Sequence, residues 1–420
     1  MMNVQINGQE GIVAALDVGS SKVACLIAQA GVGGQYLVKG VGNRACNGGV
    51  AAGAVVDMEL TEQAIRASVD QAEKMAGITI SDVILSFSGG TPKSTVVEVD
   101  VEITGHAVTQ SQLDEALGLA EKEVEAGEGE ILHVLPAAYA VDGNYGTKAP
   151  LGMYGQKLTV AVLVVTVGSG PLQNLEACVR RAHLNVSGVV LAPYASGLAC
   201  LVEDEAKMGA ACIDLGGGTT GISIFAQGAL VHAEVLPIGG ADVSEEIARE
   251  LLTPFAQAER LKTFNGAAVV DPADARHEIE VQQVGESGSD RMVRLPRSTL
   301  TATMQREMEL LFTTIGQRLD ASGFSGVAGK RVVLTGGVAQ CEAVRDLATK
   351  ILGRQVRIGR PKALGGLPVA AQAPNFAGAV GLLDYAAKEP QQIFGKNKKQ
   401  EKPIAGGVIE RVSQWVRDTF

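Results

Sequence analysis

The sequence predicts an α/β protein of two lobes with inserted α+β subdomains and a C-terminal amphipathic helix. Three observations predict it. An apolar run ending in Asp17, a small-residue turn and a second apolar run occupy 12–27, and the same order returns at 210–225 around Asp214. A further apolar run at 331–334 leads into Gly336 and Gly337. Near the end, the composition changes to a lysine-rich stretch at 396–403, followed by one periodic segment at 404–420.

The chain of 420 residues is too long for one ordinary core, so two lobes are the simplest division. Its 46% hydrophobic and 20% charged residues suit a globular chain. A formal charge of -10 leaves no basic excess to displace phosphate counterions, which argues against nonspecific nucleic-acid binding. The six cysteines lie scattered in mostly apolar runs, without metal-like spacing, and are expected to be reduced core thiols. The first eleven residues lack the pattern of a signal peptide, so the chain is expected in the cytoplasm. The longest apolar run, 158–167, is too short to span a bilayer.

Along the chain, each repeated unit reads as a β-hairpin. Residues 60–76 read as a helix with Thr61 as its N-cap and Gly77 closing it, and 83–87 as a buried strand. From 88 to 165 the texture becomes that of an insert: a strand at 95–103, a helix at 111–124, a loop rich in Gly and Asp, and a strand from 158. After the second hairpin, 241–264 and 299–319 read as helices around a polar stretch at 271–289. The strand before Gly336 is expected to pass into a helix ending near 352, and 375–387 into another. This gives one lobe from 1–87, 166–205 and 360–390, and a second from 206–240 and 318–359. The inserts are 88–165 and 241–317, with a flexible linker at 391–403 and the terminal helix at 404–420.

Glycine-bearing turns let phosphate oxygens approach backbone N–H groups, and two such turns from two lobes suit a clamped polyphosphate. Gly19, Ser20 and Ser21 form the first turn, and Gly216, Gly217, Gly218, Thr219 and Thr220 the second. Asp17 and Asp214, ending their strands, are the candidates to hold a hydrated Mg2+, an ion that needs few protein carboxylates. Lys22 either reaches a phosphate as a point charge or caps the hairpin at the surface. Gly336 and Gly337 let the backbone pass close to a ribose or adenine at a helix N-terminus. Val167 to Gln173 imitates a dinucleotide turn, but Gln173 takes the place of the third glycine. The five histidines form no catalytic or metal-binding grouping.

The order of the two hairpins, the Gly-Gly strand and small-residue helices at 192–200 and 375–383 resembles the actin, Hsp70 and sugar-kinase superfamily. Within it, 131–136 and 144–155 resemble the inserted subdomain of the FtsA family of bacterial cell-division proteins. The segment 253–262 is similar too, and there the resemblance implies that Glu259 and Lys262 lie near the ribose and base; by spacing alone they are an ordinary i,i+3 pair. The stretch 282–297 departs from the family pattern. The resemblance implies an actin-like ATPase fold of two ribonuclease-H-like lobes, ATP and Mg2+ as cofactors, slow hydrolysis or little, and self-assembly into protofilaments. It also implies binding of the tubulin-like FtsZ through 244–265 and 294–317, and of later division proteins through 88–165. The alternatives on the same fold are a small-molecule kinase, which requires an acidic base in a substrate cleft, and a pilus-assembly actin homologue, which should lack the terminal helix.

At about 100° per residue, Ile404, Val408, Ile409, Val412, Trp415, Val416, Thr419 and Phe420 fall within an arc of roughly 160°. Such a helix behind a flexible linker has no adjacent core to cover, so it is expected to lie in a membrane surface. Two arginines balance Glu410 and Asp418, so attraction to anionic lipid falls to Lys396, Lys398, Lys399 and Lys402, at about 1 kcal/mol each, partly offset by Glu401. A single copy is expected to bind weakly, and many copies on a polymer with avidity.

Overall fold

The computed structural model describes residues 5–6, 9–31, 36–124, 129–285, 292–326 and 330–388. The first hairpin is β1 (Ile12–Val18) and β2 (Lys22–Ala30), followed by β3 (Tyr36–Ala45), helix α1 (Met58–Ala76) and β4 (Asp82–Phe87). Helix α1 begins before the expected Thr61. The carboxylate of Asp57 accepts from the N–H groups of Glu59 and Leu60, making Asp57 the N-cap, while the Thr61 hydroxyl bonds the Asp57 carbonyl instead. Gly77 closes the helix at φ 71°, as expected.

The insert contains β5 (Lys93–Glu102), α2 (Gln110–Glu123), β6 (Gly129–Val141), β7 (Asn144–Thr147) and β8 (Lys157–Gly168). They form one antiparallel sheet in the order β7-β6-β8-β5. The long strand β6 stands where the sequence suggested a loop. Its pairing with β8 shifts between Pro136 and Ala138, and proline, which has no N–H to give to a ladder, is tolerated at such an irregularity. The apolar run in β8 is buried on both faces. Val160, Val162 and Val164 pack with Ala116 and Ala120 of α2. From the other face, Leu163 and Val165 join the first lobe's core, and Ala161 joins the second lobe's.

The chain returns through α3 (Ser169–Arg181) and β9 (Asn185–Leu191) to the first lobe, whose sheet runs β9-β4-β1-β2-β3. Helix α4 (Ala192–Cys200) leads to the second hairpin, β10 (Ala210–Leu215) and β11 (Thr220–Ala226), and to β12 (Ala229–Leu236). The single helix expected over 241–264 is two, α5 (Gly240–Glu250) and α6 (Phe255–Asn265), separated at Pro254, which precedes the first residue of α6. After them come β13 (Glu278–Gln282), β14 (Met292–Pro296), α7 (Arg297–Ala321), β15 (Arg331–Thr335), α8 (Val344–Leu352), β16 (Gln355–Ile358) and α9 (Ala377–Lys388).

The second lobe's sheet is β12-β11-β10-β15-β16. In both lobes the hairpin pairs antiparallel, its second strand pairs antiparallel with the third, and the first strand pairs parallel with a later one. The internal repeat seen in sequence is therefore a repeat of topology. Helices α4 and α9 cross at the join of the lobes. A Cβ on Gly381 would fall 1.8 Å from the Ala195 carbonyl oxygen, so only glycine permits this approach. Among the described residues no helix is long and apolar enough to cross a membrane. The amphipathic segment 404–420, with Val408, Ile409, Val412, Trp415, Val416 and Phe420, lies outside the described residues.

Candidate functional site

Both hairpins turn in the same way: the N–H of Gly19 donates to the Lys22 carbonyl and that of Gly216 to the Thr219 carbonyl, each at 2.9 Å. The turns face each other at a cavity of about 660 Å³, within the size range of ligand sites. The first lobe lines it with Asp17, Gly19, Ser20, Ser21 and Lys22, and the second with Asp214, Gly216, Gly217 and Thr219. Glu259, Lys262, Gly336 and Gly337 complete the set brought together there. Gly218 and Thr220 fall outside this lining. Gly218 packs toward Ser20, and Thr220 is buried with its hydroxyl donating to the Ile238 carbonyl.

The two carboxylates have matching supports. Ser86 on β4 donates to Asp17 at 2.5 Å, and Ser196 on α4 donates to Asp214. Burial pushes both carboxyls up, Asp214 to about 6, despite these hydrogen bonds. Gly336 has φ 88°, and a Cβ there would lie 2.4 Å from an Asp214 oxygen, so both conformation and space require glycine. The Gly-Gly segment leads into a short 3-10 turn, Val338–Gln340, rather than the expected helix N-terminus; α8 begins only at Val344.

Lys22 does not cap the hairpin at the surface. Its buried ammonium has no hydrogen-bond partner among the described residues and sits 3.4 Å from the centre of the Phe376 ring. Burial lowers its pKa to about 8, against the pull of Asp17 and Asp214. A buried cation of this kind is costly unless an anion meets it. Also lining the cavity, Lys262 donates to Glu259 at 2.7 Å and to the Gly240 carbonyl at 2.6 Å, so the lysine of this pair is turned inward while the Glu259 side chain stays partly exposed.

The residues present suit a magnesium–polyphosphate ligand. Lys22 offers an ammonium without a hydrogen-bond partner among the described residues, and glycines of both turns line the cavity. Among the described residues no group of three or more His, Cys, Asp or Glu could hold a metal ion. Two carboxylates suit an ion that keeps most of its waters and takes phosphate oxygens as further ligands. Ser86, Ser196 and Phe376 escaped the sequence reading. Ser86 could have been noticed as the one polar residue within the apolar strand 83–87.

The family model for "Cell division protein FtsA" matches residues 211–381, and that for "SHS2 domain inserted in FTSA" matches 89–166. A cell division protein FtsA from Agrobacterium fabrum is 40% identical, over 97% of this chain and 95% of the relative. The chain belongs to the FtsA family. The family's proteins from Pseudomonas aeruginosa and Escherichia coli (strain K12) are 34% and 31% identical, each over 97% of this chain and 98% of the relative. Among solved structures, a PilM-PilN type IV pilus biogenesis complex matches with a TM-score of 0.63 at 17% identity, covering 90% of this chain and 98% of that one. MreB5 of Spiroplasma citri bound to AMPPNP matches with a TM-score of 0.51 at 12% identity, covering 92% and 98%. These likenesses show the actin-like fold of the chain.

Proposed function

We propose that the cleft binds ATP with Mg2+, and that the nucleotide-bound protein assembles into actin-like protofilaments on the inner membrane face at the division site, tethering FtsZ and later division proteins. The observation that carries the nucleotide reading is the Lys22 ammonium, without a hydrogen-bond partner among the described residues, lining one cavity with two glycine turns and two half-buried carboxylates. Asp17 and Asp214 would hold the ion through water, and when bound it would supply positive charge to the phosphates. Lys22 adds a second positive charge, the turns add N–H donors, and Glu259 with Lys262 lines the nucleoside end. Helices α4 and α9 cross closely where Ser196 holds Asp214 and where Gly378 of α9 abuts Asp17, so a ligand drawing on both carboxylates bears on both helices.

The family supports the division role, with FtsZ bound through 244–265 and 294–317 and later division proteins through 88–165. The membrane anchor rests on the apolar arc of 404–420. Co-sedimentation with anionic liposomes, with and without Mg-ATP, tests the whole reading. The full chain should pellet, and more so with Mg-ATP, because assembled copies share their weak helices. Trp415→Glu should abolish pelleting and leave ATP binding unchanged. Lipid binding that survives this change would rule out the anchor.

A further inference from the structure

We propose that Cys200 and Cys212 are a redox-active pair: peroxide converts them to a disulfide that draws the end of α4 onto β10, disturbs Ser196 at Asp214 and weakens Mg-ATP binding. The thiol chemistry stands by itself, and only its effect on ATP rests on the nucleotide reading above.

The pairing follows from the way α4 lies on β10. Ser196 of the helix donates to Asp214 of the strand. Residues four apart share a helix face, and residues two apart share a strand face. Cys200, the last residue of α4, stands one turn beyond Ser196, a rise of about 6 Å. Cys212 stands two residues before Asp214, about 6.6 Å back along the strand. The steps match, so helix and strand, running in opposite directions, bring the two thiols together as the next rung. The Cys212 thiol donates to the Cys200 sulfur.

Buried cysteines ordinarily serve as small apolar side chains. These two belong instead to a polar chain. Cys200 donates in turn to the Thr335 hydroxyl at 3.4 Å, and that hydroxyl lies 3.1 and 3.2 Å from the carbonyl oxygens of Pro374 and Gly359. Arg357 brings positive charge beside the pair, its Nη2 donating to the Cys200 carbonyl at 2.8 Å, and positive charge favours a thiolate. Both cysteines are free thiols and both are buried, Cys200 at 4% exposed and Cys212 at 1%. An oxidant as small as hydrogen peroxide therefore suits them better than a bulky disulfide, and Cys200 is the first to meet it.

In the first step the Cys200 thiolate attacks a peroxide oxygen, the O–O bond breaks, and the departing hydroxide takes up the proton that Cys200 released. Sulfur is oxidised to a sulfenic acid and the peroxide is reduced to water. The Cys212 sulfur then attacks that of Cys200, the S–O bond breaks, and the hydroxyl leaves as water with the Cys212 proton. A sulfur–sulfur bond is shorter than the thiol–thiol hydrogen bond it replaces. Ser196, one turn back on the same helix, is carried with Cys200 and loses its place at Asp214.

The test uses the full chain treated with hydrogen peroxide, then alkylated and cut with trypsin. Cleavage after Arg181, Lys207 and Arg249 leaves Cys200 in 182–207 and Cys212 in 208–249, each the one cysteine of its peptide. Mass spectrometry should find these two peptides joined, and separated again by dithiothreitol. Calorimetric titration should find the oxidised chain binding Mg-ATP roughly tenfold more weakly, as for a lost hydrogen bond to a charged group, with recovery on reduction. Cys200→Ser should keep its ATP affinity through the same treatment, whereas Cys341→Ser, which removes the thiol lining the cavity, should still lose it. Absence of the joined peptides overturns the pair. Joined peptides with unchanged ATP affinity, or an equal loss in Cys200→Ser, overturn the coupling to Asp214 and leave the pair standing. Failure of the reduced wild-type chain to bind ATP overturns the nucleotide reading and leaves the peptide result untouched.

Discussion

The Ser94 hydroxyl donates to the Ala233 carbonyl at 2.6 Å and accepts from the Ala233 N–H at 2.9 Å. Ser94 stands on β5 of the insert and Ala233 on β12 at the edge of the second lobe's sheet, so the insert, continuous in chain with the first lobe, is bonded to the second as well. Ser94→Ala leaves the Ala233 backbone pair without this partner and should cost about 1–2 kcal/mol. Hydrogen exchange at Ala233 and along 93–102 should quicken while ATP affinity stays within a factor of about two. Unchanged exchange at Ala233 would show that the contact does not hold the insert.

Lys22→Met removes a buried, unpartnered ammonium and puts a flexible apolar chain against Phe376. Because the folded-state pKa is depressed from 10.5 to about 8, the folded state gives up its proton before the unfolded one. The cost of burying the charge is therefore full below about pH 8 and is relieved as pH rises from 8 toward 10.5; its size is on the order of 3 kcal/mol. Urea denaturation of the ligand-free protein should find Lys22→Met the more stable at pH 7, with the difference shrinking by pH 10. The same variant should bind ATP at least roughly tenfold more weakly, through loss of a charge-assisted contact.

Glu205 is buried and meets Arg357 through Nε at 2.8 Å and through Nη2, with Arg331 near the same carboxylate. Burial alone would raise its pKa, but the hydrogen bonds from Arg357 and the Val202 N–H hold it below the usual carboxylate value. For a carboxylate with a depressed folded-state pKa, the stabilisation is present above the unfolded-state value and is lost as pH falls through the folded one. Glu205→Gln should destabilise the protein by about 2–4 kcal/mol at pH 7, since it strands Arg357 beside the Cys200 carbonyl. Acid titration of both proteins should show the gap closing as pH falls through and below the usual carboxylate range.

Gly336→Ala places a side chain at φ 88° and a Cβ 2.4 Å from an Asp214 oxygen. Strain and overlap together should cost at least about 2 kcal/mol and displace the carboxylate. Thermal denaturation should register a lower midpoint, and ATP binding should fall with it. Gly337→Ala, where a Cβ meets nothing within 4 Å, is the control and should be mild.

The hairpins were legible because each places an aspartate at a strand end before a turn of small residues, a pattern local in sequence. The α1 boundary was not, since Thr61 and Asp57 are both good caps and only the backbone path shows which oxygen faces the free N–H groups. Strand β6 was hidden by polar flanks and by Pro136, which reads as a break until its place beside a register shift is seen. The partners of the site residues lay further out of reach. Ser86 meets Asp17 from 69 residues away, and Phe376 meets Lys22 from the far end of the chain, contacts that only tertiary packing creates.

The nucleotide cleft is tested most directly by calorimetric titration of Mg-ATP into the full chain, alongside Lys22→Met and Asp214→Asn. Saturable binding of one ATP per chain, weakened at least roughly tenfold in both variants, is the predicted result. Absence of ATP binding by the wild-type chain, or equal affinity in all three proteins, would contradict it.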